Sequence, residues 1–147
     1  MIRTRTEGFS LVELMIVMAV IAVLAGMTVP TIAAGMKRYT VLSAGQEVAG
    51  VIRSARMQAI SRNATLTVQL NIPAAGQYRI VDVGGNVLGV VHALPTGLTV
   101  SGIPYFQFTP QGRLPAGSPA VTVVVSNGTA NDNRTITVSP SGRVQLP

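Results

Sequence analysis

The chain has 147 residues, 48% of them hydrophobic, with 11 Lys and Arg against 5 Asp and Glu, a formal charge of +6, one His and no Cys. The absence of cysteine excludes a disulfide scaffold and thiol chemistry, and the length suits one compact domain plus a special segment. A single histidine and a few acids far apart in sequence offer no metal cluster, nucleophile motif or acid–base pair, so the composition argues against an enzyme, a metal site or a cofactor.

The chain begins with a short basic stretch carrying Arg3, Arg5 and Glu7 and continues as Gly8-Phe9-Ser10-Leu11-Val12-Glu13-Leu14. No charged residue then appears from Leu14 to Met36. About 20 helical residues cross a hydrocarbon core of about 30 Å, so this run is long enough to span a membrane. Its basic flank predicts a cytoplasmic N-terminus, with the rest of the chain on the far side. A removable secretory signal and a long buried core helix are the competing readings, and Glu13 fits neither. A carboxylate at the centre of a membrane helix costs about 2.5 to 3.5 kcal/mol, and less near its end. Glu13 therefore calls for a partner, or else for a solvated position at headgroup level. Pro30 predicts a kink within the run, loosened further by Gly26 and Gly35.

Beyond Met36 the apolar residues Val41, Ala44, Val48, Val51, Ile52, Ala55 and Ala59 recur at helical spacing. The helix is expected to continue to about Arg62, with Asn63 as its stop. From Thr65 the period becomes two, which predicts strands at 65–71, 77–83, 87–92, 98–101, 105–108, 120–126, 134–139 and 143–146. Gly, Pro, Asn and Ser clusters separate them, and Gly84-Gly85-Asn86 reads as a tight hairpin turn. The expected fold class is α+β: a long N-terminal helix, half transmembrane and half amphipathic, packed on antiparallel β-structure in two sheets. The expected divisions are a leader at 1–8, a membrane and assembly helix at 9–36, its amphipathic continuation at 37–62, and a β-rich domain at 63–147. His92, in its strand-like setting, reads as structural.

The segment from Gly8 to Glu13, with its basic leader and apolar run, resembles the processing motif of type IV pilins and type II secretion pseudopilins. The resemblance implies cleavage between Gly8 and Phe9 by a prepilin peptidase, N-methylation of Phe9, and an assembly contact through Glu13. Physically, cleavage creates an amine four residues from Glu13, and in a low-dielectric setting the two attract within one chain or between neighbouring subunits. Residues 49–64, the Phe108-Thr-Pro-Gln-Gly112 turn and the C-terminal stretch from Arg134 to Val144 resemble the GspH/FimT branch. That branch implies a minor subunit near the tip of a pilus or secretion pseudopilus. Its partners would be other pilins or pseudopilins and the bacterial inner membrane, from which the domain passes to a periplasmic or extracellular filament.

The FimT resemblance also implies an alternative, DNA capture for natural transformation, through a C-terminal Gly-Arg-x-Arg pattern. Here Gly142-Arg143-Val144-Gln145 carries one arginine of that pair. Arg143, together with Arg134 or Arg113, is the candidate DNA contact. A solvated strand-end arginine is the plain alternative for Arg143.

Overall fold

The computed structural model describes residues 8–128 and 132–147, with the side chains of 27–31, 33 and 34 outside that set. The leader segment before Gly8 lies outside the described residues, as does the side chain of Pro30 with its expected kink. The chain divides into two compact units, Met1–Lys37 and Arg38–Pro147.

One helix, α1 (Leu11–Ser61), runs unbroken for 51 residues, including position 30. Ser10 caps its start: the Ser10 Oγ accepts from the Val12 N–H at 3.3 Å, and the Ser10 carbonyl accepts the first helical hydrogen bond from Leu14 at 3.1 Å. At the other end Asn63 adopts a left-handed φ of 48°. The Asn63 N–H returns to the Ile60 carbonyl and the Ala64 N–H to the Ala59 carbonyl, a Schellman pair that satisfies two otherwise free carbonyls. Asn63 is thus the stop that its residue type suggested. Among the described residues no helix is long and apolar enough to cross a membrane.

Among the described residues of the second unit, eight strands follow the helix. They are β1 (Leu66–Leu70), β2 (Gln77–Val81), β3 (His92–Ala93), β4 (Thr99–Gly102), β5 (Tyr105–Phe108), β6 (Val121–Ser126), β7 (Asn133–Val138) and β8 (Val144–Gln145). They pair antiparallel into two four-stranded sheets, ordered β3-β2-β1-β5 and β4-β6-β7-β8. Alternation decides which side chains go inside: Leu66, Val68 and Leu70 on β1, Phe106 and Phe108 on β5, and Val121, Val123 and Val125 on β6 are all buried. They join Ala44, Val48, Ile52, Ala55 and Ala59 of α1 in one hydrophobic core shared by the helix and both sheets. Small residues on the helix allow close approach, and a Cβ on Gly45 would stand 3.0 Å from Arg134 Cβ. Asn71 ties the sheets together: its Nδ2 donates to the Val100 carbonyl of β4 at 2.9 Å, while its Oδ1 accepts from the Gly76 N–H at 2.9 Å.

The expected strand at 87–92 is mostly absent. Val87 makes a single antiparallel bridge to Val81, and regular pairing resumes only at β3. Gly89 explains the gap, because its φ of +89° turns the chain out of the extended region that a ladder requires. The Gly84-Gly85-Asn86 turn does close as expected. Asp82 Oδ1 accepts the Asn86 N–H, and the Asp82 N–H donates to the Asn86 carbonyl at 3.0 Å.

Candidate functional site

Gly8, Phe9 and Ser10 precede the helix in a non-helical, exposed segment. Phe9 is 84% exposed. A Cβ on Gly8 would meet nothing within 4 Å, so the fold itself does not demand glycine there. Glu13 occupies the first turn of α1, where unsatisfied N–H groups and the helix dipole favour a negative charge. The Ser-x-x-Glu spacing of Ser10 and Glu13 is a helix-start signature legible in the sequence.

In the second unit two turns share one design. Thr109-Pro-Gln-Gly112-Arg113 follows β5, and Ser139-Pro-Ser-Gly142-Arg143 links β7 to β8. In the first, the Gly112 N–H donates to the Thr109 carbonyl at 2.8 Å and the Thr109 N–H to the Arg113 carbonyl at 2.8 Å. The second repeats this, with Gly142 to Ser139 at 2.8 Å and Ser139 to Arg143 at 2.9 Å. Gly112 and Gly142 have φ of +70° and +80°, a region that disfavours any side chain.

The two turns are packed against each other. The Leu114 N–H donates to the Pro140 carbonyl at 3.0 Å, and a Cβ on Gly142 would overlap the Gly112 carbonyl. Arg56 of α1, partly buried, donates its Nε–H to that same carbonyl at 2.9 Å. Arg113 and Arg143 hold equivalent positions in the two turns, and both are exposed. The repeat Phe-Thr-Pro-Gln-Gly-Arg-Leu against Val-Ser-Pro-Ser-Gly-Arg-Val was open to inspection in the sequence, whereas the role of Arg56 was not.

Arg134 does not join this pair. It lies on β7 in line with the inward-facing Ile136 and Val138, its stem is close against Gly45, and it borders a small polar hollow with Arg38 and Asp132. His92, expected to be structural, stacks on Tyr78 with ring centroids 5.2 Å apart and sets its Nδ1 3.6 Å from Glu47 Oε1. The Tyr78 hydroxyl has no hydrogen-bond partner among the described residues. Burial, followed by the nearby Glu47 carboxylate, pushes its ionisation well above the ordinary tyrosine range. Among the described residues no group of His, Cys, Asp and Glu could hold a metal ion.

Residues 3–29 match the prokaryotic N-terminal methylation motif, and residues 44–142, more than half of the chain, match the Type II transport protein GspH family. The chain belongs to the GspH family. Among relatives of this GspH-family chain, the pilin-like protein PilA1 of Thermus thermophilus is 28% identical over 95% of this chain and 97% of its own length. Two solved structures share the fold. The type IV minor pilin FimU of Pseudomonas aeruginosa has a TM-score of 0.65 at 23% identity, covering 76% of this chain and 90% of FimU. The minor pseudopilin EpsH of the Vibrio cholerae type 2 secretion system has a TM-score of 0.54 at 12% identity, covering 72% of this chain and 94% of EpsH. The chain thus joins an N-terminal methylation motif to a domain of the Type II transport protein GspH family, with the fold seen in FimU and EpsH.

Proposed function

We propose that this GspH-family subunit is cut between Gly8 and Phe9 by a prepilin peptidase and methylated at Phe9. It is anchored in the inner membrane by residues 9–36 and joins other pilins or pseudopilins near the tip of a filament through Glu13. The observation that carries this reading is the placement of the processing motif. The bond between Gly8 and Phe9 lies exposed, just ahead of the helix, while Ser10 starts the helix and sets Glu13 in its first turn. The new amine is four residues from a carboxylate that the apolar segment leaves without an opposite charge in sequence. Glu13→Ala or Glu13→Val should preserve insertion and cleavage, since the apolar length is kept, but strongly reduce the subunit in sheared filaments. Quantitative immunoblotting of filament and membrane fractions tests this, and wild-type incorporation would overturn it.

A second reading, DNA binding, is favoured by the paired turns that present Arg113 and Arg143 together. Such contacts neutralise phosphates and release counterions, so binding should weaken as salt rises and show little sequence preference. Duplex DNA titrated with the full chain in detergent micelles should bind at low salt, and Arg113→Ala and Arg143→Ala should each weaken binding. Indifference to both substitutions would leave assembly as the sole reading.

A further inference from the structure

We propose that Arg53, on the exposed face of α1, is a third phosphate contact that works with Arg143 in one cleft; this rests on the DNA reading above. Arg53 precedes Arg56 by three residues, so the two lie on neighbouring parts of the helix surface. Arg56 is fixed to the Gly112 carbonyl, which anchors that part of the helix against the paired turns. Arg53 borders a cleft of about 520 Å³ with Thr137, Arg143, Gln145 and the last residue, Pro147, and no Asp or Glu side chain lines it.

On the other side of the turn at 139–143, a second cleft of about 660 Å³ is bordered by Arg113, Pro140 and Ser141. Residues of the turn thus border both clefts, one with Arg53 and Arg143 and the other with Arg113. The acids of the domain are engaged elsewhere. Glu47 faces His92, Asp82 holds Asn86, and Asp132 accepts from Asn127 at 3.2 Å. Two guanidinium groups bordering one cleft repel each other, and an anion between them relieves that repulsion. Successive phosphates of a DNA strand supply such anions in a row. Gln145 faces the same cleft from β8, so an arginine placed there should replace the charge lost from Arg53.

The test is fluorescence anisotropy of a mixed-sequence DNA duplex with the full chain in detergent micelles, at about 50 and 200 mM salt. Arg53→Ala and Arg143→Ala should each lower affinity and reduce the steepness of log K against log salt by about 0.9. Arg53→Lys should retain most of the binding. Gln145→Arg added to Arg53→Ala should restore both affinity and slope, which a merely structural arginine would not permit. Circular dichroism checks that each variant is folded. Binding that depends on Arg143 but is unchanged by Arg53→Ala overturns the role of Arg53 and leaves the DNA reading standing. Absence of wild-type DNA binding overturns both, as does capture by anionic phospholipid vesicles with the same arginine dependence while DNA is ignored.

Discussion

The Nε–H of Arg56 donates to the Gly112 carbonyl at 2.9 Å, and that same carbonyl sits where a Cβ on Gly142 would have to go. One helical side chain thus holds a point at which two separate turns meet. Its guanidinium presents a planar, directed donor that the compact ammonium of lysine does not reproduce.

Arg56→Gln and Arg56→Lys should therefore both destabilise the domain, by roughly 1 to 3 kcal/mol for a lost charge-assisted hydrogen bond. Thermal unfolding followed by circular dichroism measures this. A lysine variant as stable as wild type would show that charge alone, and not the directed bond, matters at this position.

Gly142→Ala should be worse tolerated than Gly117→Ala, although both glycines have φ near +80°. The backbone strain is common to the two, but only at Gly142 does the added methyl collide with another turn, whereas nothing lies within 4 Å at Gly117. Comparison of the two midpoints in urea isolates the contact. Equal midpoints would contradict the close packing of the turns.

Tyr78→Phe should leave stability unchanged or raise it by up to about 1 kcal/mol, because it removes a buried hydroxyl that lies near the Glu47 carboxylate without a well-formed hydrogen bond among the described residues, while retaining the stack on His92. The fold favours the neutral phenol. The stability held by wild type is therefore complete below the ordinary tyrosine value of 10.0 and is lost as pH rises above it. The phenylalanine variant should lack this alkaline component, which thermal melts on either side of that value would reveal.

Acid should loosen the hairpin at 82–86 before the core. The Asp82 carboxylate accepts from the Asn86 side-chain amide and backbone N–H, and these bonds lower its pKa below the ordinary 3.8. The depressed folded value means that the contribution is present above 3.8 and disappears as pH falls through the lower value. Amide resonances of Gly85 and Asn86 should report this transition, and Asp82→Ala should abolish it.

Gly8→Val should leave an uncut precursor in the membrane fraction. Space around Gly8 in the folded chain is open, so any demand for glycine comes from the approach of the peptidase to the backbone. Mass spectrometry that finds a normal Phe9 N-terminus in this variant would refute the assignment.

Local chemistry alone determined the Gly8–Glu13 motif, the continuation of the helix beyond Met36, its stop at Asn63 and the approximate position of most strands. Each depends on neighbours within a few residues: a cap, a 3.6-residue or two-residue period, or a turn residue with a positive φ. The retreat of the strand expected at 87–92 required the actual backbone, since Val90-Val91-His92 has strand character but Gly89 turns the chain away before it. The grouping of the arginines could only be decided by the tertiary structure. Arg134 and Arg143 are close in sequence, yet one leans inward over Gly45 and the other is exposed on a turn. Arg53 and Arg56 on the helix are far in sequence from Arg143 and Gly112, yet Arg53 borders a cleft with Arg143 and Arg56 bonds the Gly112 carbonyl because one shared core presses the helix and both sheets together. Charge count and periodicity describe each residue along its own element, whereas long-range packing chooses which elements face each other.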